Sequence, residues 1–246
     1  MPRKTEVTRL SMSKYNYFRQ SSHRFYGAVV ALFMLLLYET LVIWGELPSG
    51  AMVRNAPEVW LRSILYFIGL PHYYISLALL AGALIAISVF YQSGVIVRKS
   101  IFFWMILESI FWGLVSGFII QFFMINLPFF SGVFSNSILA NLGLAIGAGL
   151  FEELLFRVVL TTFLIYLFRR IFDHPLISIV IAVLVASFLF SLVHYLGNMA
   201  DQFTLYSFMF RFFAGIWFTT LYTVRGFAIT CMTHAFYDIF VIFFYQ

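Results

Sequence analysis

Between about Ser137 and Leu167 runs an apolar stretch long enough to cross a bilayer. Inside it lies Gly149-Leu-Phe-Glu152-Glu153-Leu-Leu-Phe-Arg157, two adjacent carboxylates and an arginine. An uncompensated charge in hydrocarbon costs several kcal/mol, so these three groups demand partners or a wet cavity. On a helix, Glu153 and Arg157 share a face, acid before base, while Glu152 points about 100° away from Glu153. The expectation is a division of labour in which Arg157 neutralises Glu153 and Glu152 is left for another task. The plainer alternative is that all three stitch helices together.

The remainder of the chain has the same character. Of 246 residues, 63% are hydrophobic and 10% charged, which excludes an ordinary soluble domain. The expected fold is all-α, a polytopic membrane bundle of about seven transmembrane helices. These fall near Phe25–Trp44, Tyr73–Gln92, Ile101–Ile125, Ser137–Leu167, Leu176–Leu196, Phe203–Val224 and Phe227–Tyr245. Pro71 interrupts a partial apolar segment after the first span, and Asp173 with Pro175 reads as an N-cap followed by proline in the first turn.

The chain divides into a basic segment over 1–24, N-terminal spans over 25–136 and a polar-bearing core over 137–246. Residues 1–24 suit a short interfacial helix with Val7, Leu10, Tyr15 and Phe18 toward lipid, or a disordered basic tail. The net charge of +5 sits largely at the ends of apolar runs, so it reads as topology rather than nucleic-acid binding. With Arg98, Lys99, Arg169, Arg170 and Arg225 on the same side as the N-terminus, that side is expected to be cytoplasmic and the membrane to be the cell membrane. A lone cysteine, Cys231, excludes an internal disulfide and is expected to pack.

Two later spans also carry groups that hydrocarbon should exclude: Phe190-Ser-Leu-Val-His194, and His234-Ala-Phe-Tyr-Asp238, whose two polar residues share a face. With Glu152 they supply a base, two imidazoles and a carboxyl group, the inventory for activating water and stabilising an oxyanion. Glu39, Glu108 and Arg211 also lie within spans, and interhelical pairing is favoured for them over a substrate path.

Taken in order, Glu152-Glu153-x-x-x-Arg157, Phe190-x-x-x-His194 and His234-x-x-x-Asp238 resemble the CPBP intramembrane proteases, which include CAAX prenyl proteases and bacteriocin-processing proteins. The resemblance covers roughly residues 140–245. It implies a glutamate-type intramembrane endopeptidase with no cofactor and a membrane-anchored or hydrophobic peptide as substrate. By motif, Glu152 is the general base, His194 helps it hold the water, and His234 with the group at 238 stabilises the oxyanion. Glu153 and Arg157 are the supporting pair. Prenyl proteases typically have asparagine where this chain has Asp238, and an ionised aspartate cannot donate a hydrogen bond. Asp238 is therefore either protonated by burial or an acceptor that orients His234.

Zinc held by the same residues is the alternative chemistry, although no His-Glu-x-x-His is present. A non-catalytic scaffold or transporter is the alternative function. Neither a Gly-x-Ser-Gly serine motif nor the Gly-x-Gly-Asp partner of an aspartyl pair is present. At 1.5 Å rise per residue, Glu152 lies about 25 Å from Arg169 and Asp238 about 20 Å from Arg225. That depth leans against a prenyl-CAAX substrate, which would be presented from the cytoplasm, and toward a leader or tail peptide reached from the membrane or outside.

Overall fold

The structure, a computed structural model, describes residues 17–45, 54–91, 95, 97–124, 137–197 and 200–244. Every regular element among them is helical: α1 (Arg24–Trp44), α2 (Ala56–Phe67), α3 (His72–Phe90), α4 (Lys99–Phe123), α5 (Ile138–Gly147), a π-helical segment (Ala148–Thr161), α6 (Thr162–Phe168), α7 (Pro175–Val193), α8 (Leu205–Arg225) and α9 (Phe227–Phe244). The all-α expectation is met. Of the expected spans, α1, α4, α7 and α9 are long and apolar enough to cross a membrane, and α3 offers a shorter apolar helix over Tyr74–Phe90. Large apolar side chains such as Phe33, Phe103, Phe111, Phe118, Phe163 and Phe188 cover the exterior, as an integral membrane protein requires.

Helix α9 is the hub. It packs on α4, on the π segment, on α5, on α8 and on α1, and Cys231 in its second turn is fully buried. Its approach to the π segment depends on Gly149. A Cβ there would lie 2.6 Å from the Cys231 carbonyl oxygen and 2.9 Å from the Ala235 nitrogen, backbone atoms that cannot step aside. Glycine-to-alanine in a helix interior ordinarily gains up to about 1 kcal/mol. Here Gly149→Ala is expected instead to destabilise by about 1–3 kcal/mol through overpacking, read as a lower unfolding temperature of the detergent-solubilised protein.

Several boundaries differ from the expectation. The segment before Pro71 is a helix in its own right, α2, started by Asn55 with proline in its first turn. Helix α7 starts on His174, not Asp173, with Pro175 at its first position, and it ends at Val193, so His194 stands at its C-cap rather than within a span. The expected fourth span is a continuous helical run that changes from α to π and back.

The other intramembrane charges find partners. Glu39 on α1 pairs with Arg62 at 2.8 Å and accepts from Ser76 on α3 at 2.8 Å. Glu58 on α2 is fully buried and takes bonds from Arg54, Arg62 and Tyr38. Glu108 on α4 pairs with Arg225 at 2.6 Å and accepts from Tyr17 at 2.5 Å, which ties the chain ahead of α1 to the bundle. Arg225 also donates to Ser21 and Ser22 and lies over the ring of Phe18. Val7, Leu10 and Tyr15 of the expected interfacial helix lie outside the described residues.

Candidate active site

The π segment sets the geometry. In a π-helix the bonds run to i+5, so the backbone is wider than in the α-helix from which the faces of Glu152, Glu153 and Arg157 were read. Thr161 and Thr162 follow the same register with their side chains, donating to the carbonyls of Phe156 at 2.7 Å and Arg157 at 3.4 Å. Long π stretches are rare and concentrate at functional sites.

Glu153 and Arg157 are both fully buried, with Nε of the arginine 3.1 Å from Oε2 of the glutamate. The pair is a contact of charges and not an aligned hydrogen bond, since the guanidinium N–H groups meet no acceptor among the described residues. The cation lies over Phe190, 4.6 Å from the ring centre, with Phe218 at 5.9 Å.

The sequence reading gave Glu153 one partner; it has two. His234 on α9 meets Oε1 through Nδ1 at 2.6 Å, so Glu153 is held on both oxygens. An ionised carboxylate only accepts, so Nδ1 is the donor and the ring is fixed, with its face on Phe218 at 4.5 Å. The other nitrogen, Nε2, then faces Glu152 at 4.0 Å and Asp238 at 3.7 Å, both longer than a hydrogen bond. This corrects one of the two readings of Asp238: the acceptor that orients His234 is Glu153, eighty-one residues earlier in the chain, and not Asp238.

His194 is fixed from the other side. Its Nδ1 lies 2.7 Å from the Phe190 carbonyl, one turn back, and a carbonyl can only accept. In the neutral ring the lone pair is therefore on Nε2. The turn that carries it is closed by the Asp201 N–H donating to the His194 carbonyl at 2.8 Å. Arg211 on α8 pairs with Asp201 and donates to Tyr195 at 2.8 Å and Ser207 at 2.5 Å.

Glu152, His194, His234 and Asp238 all open onto one cavity of about 560 Å³, with Arg54, Asn55 and Arg211 also in its wall. The four residues expected to do chemistry are thus brought together, and the supporting pair lies behind them. What the sequence did not reveal is the pairing of His234 with Glu153 and the presence of Arg54 and Asn55 at the cavity.

Residues 134–240 match the family model described as Rce1-like, type II CAAX prenyl endopeptidase. No curated protein matches the chain, and no solved structure does. The matched stretch holds α5 to α8, most of α9 and all four cavity residues, so the part of the chain that carries the cavity is similar to the CPBP/CAAX proteases, which supports that family.

Proposed function

We propose that the chain is an intramembrane endopeptidase that hydrolyses a peptide bond in a membrane-associated protein or peptide, with Glu152 as the base that activates water. One observation carries this reading. Of two adjacent glutamates, Glu153 is buried and consumed by Arg157 and His234, while Glu152 opens onto the cavity shared with both histidines and Asp238.

In this mechanism a water held by Glu152 and the Nε2 lone pair of His194 attacks the scissile carbonyl carbon. The C–O bond forms as Glu152 takes the water's proton. Charge develops on the carbonyl oxygen, and His234 donates to it through Nε2, its second proton balanced by Glu153. A protonated Asp238 is a second donor. The C–N bond then breaks, and Glu152 returns its proton to the leaving amine. The gaps of 3.7 and 4.0 Å around His234 Nε2 suit an oxygen standing between the groups.

The site works in this account without a resident metal. The zinc alternative uses the same residues as ligands and gives the opposite response to chelation. The N-terminus is cytoplasmic, the chain crosses the cell membrane seven times, and the substrate is a leader, tail or prenylated C-terminal peptide; the last comes from the description of the matched family. The test uses purified protein in detergent with membrane-anchored peptides of these classes. Cleavage is expected to persist after chelation; loss on chelation with recovery on adding zinc overturns the metal-free mechanism.

A further inference from the structure

We infer that Asn55, outside the family-matched region, is a positioning residue that fixes Glu152 by clasping the junction between α5 and the π segment; this rests on the reading of Glu152 as the base. Asn55 is the N-cap of α2, with the extended backbone that position takes, yet its side chain makes no bond to the N–H groups of its own helix. Asparagine is favoured at N-caps for that bond. Here the amide crosses to another helix instead. Its Nδ2 donates to the carbonyl of Leu144 on α5 at 3.1 Å.

The other end of the amide is equally placed. A Cβ built on Gly147 would fall 2.1 Å from Asn55 Oδ1, so the oxygen occupies the space that a side chain at 147 would need, against the glycine Cα. Oδ1 is buried and has no conventional donor among the described residues, which leaves the Cα–H of Gly147 as its neighbour. Reversing the amide would set oxygen against the Leu144 oxygen, so the direction is determined. The Tyr38 ring closes the same spot, 2.5 Å from that Cβ position, and its hydroxyl donates to Glu58 on α2.

The place that is clasped matters. The α-helical pattern ends at Gly147 and the π pattern begins at Ala148. A change of register from i+4 to i+5 alters which N–H each carbonyl meets, and at this change the Ala148 N–H is shared between the Leu144 and Ala145 carbonyls. Asn55 supplies Leu144 with a second donor. In the π register the Gly147 carbonyl is the acceptor for the Glu152 N–H, so the clasped residue is the backbone partner of the proposed base. Asn55 and Glu152 also share the wall of the cavity. Arg54, next to Asn55, is held by Glu39 and Glu58, which anchors the clasp to α1 and α2.

The test compares Asn55→Ala with wild type in detergent by two readouts. Amide hydrogen exchange over residues 145–153 is expected to speed up by about fivefold, as loss of one net hydrogen bond implies, with exchange in α7 unchanged. On a peptide cleaved by wild type, kcat is expected to fall by roughly 10²-fold with KM within about twofold, the signature of a displaced base rather than weaker binding. If Asn55→Ala does not fold, Asn55→Ser, too short to span to Leu144, takes its place. Unchanged exchange over 145–153 overturns the clasp, and faster exchange with unchanged kcat overturns its catalytic role. Absence of cleavage by wild type would count against the protease reading, while the exchange measurement would still decide the clasp.

Discussion

Replacing Arg157 with leucine is expected to lower stability by about 3–5 kcal/mol, the usual cost of removing one member of a buried ion pair. Glu153 is fully buried, and its second partner, His234, supplies a hydrogen bond but not a permanent charge. Arg157 is the one fixed cation in contact with it among the described residues. The variant leaves a carboxylate in the core of a bundle, without the stacking of the guanidinium on Phe190. Replacing both partners, as Glu153→Leu with Arg157→Leu, removes the stranded charge, and much of the lost stability is expected to return. Activity is not expected to return with it, because His234 then loses the acceptor that fixes its ring. Thermal unfolding of the three proteins in detergent checks the first part, and cleavage checks the second. Equal unfolding temperatures for wild type and Arg157→Leu would contradict the buried-pair account.

Much of this arrangement was legible in the sequence because hydrocarbon makes polar residues conspicuous. Charges cannot sit unpartnered in apolar runs, so Glu152, Glu153, Arg157, His194, His234 and Asp238 stood out, and the structure gathers them at one place. The same logic favoured interhelical pairing for Glu39, Glu108 and Arg211; Glu39 and Glu108 have ionic partners on other helices, whereas Arg211 pairs with Asp201 in the loop before α8 and stands in the cavity wall. What was not legible depends on distance in the chain or on backbone register. The bond from His234 to Glu153 joins residues far apart in sequence, and i+4 spacing suggested Asp238 as the nearer partner of His234. The π segment has no compositional mark, since Ala148–Thr161 reads as ordinary apolar helix. Asn55 was invisible for a related reason: asparagine next to an alanine and a proline reads as a helix cap, and only the packed bundle turns it toward α5. The N-cap moved from Asp173 to His174 because Pro175 takes the first helical position and sets the residue before it extended.

The second large effect concerns Glu152 itself. Glutamine keeps the shape of the side chain and its capacity for hydrogen bonds but cannot accept a proton from water. A positioned base contributes roughly 10²–10⁴ in rate, so Glu152→Gln is expected to cut kcat by about 10³-fold. Stability should change little, because Glu152 opens onto the cavity and its contact with His234 is at 4.0 Å. The adjacent Glu153→Gln provides the contrast. It weakens the contacts to Arg157 and His234, so it is expected to lose stability as well as activity.

The most direct measurement is single-turnover cleavage of one membrane-anchored peptide by wild type and Glu152→Gln, purified in detergent and matched for unfolding temperature. The account predicts product with wild type and a cleavage rate about 10³-fold lower with Glu152→Gln at equal stability. Cleavage by Glu152→Gln at the wild-type rate would contradict it, since Glu152 could not then be the base.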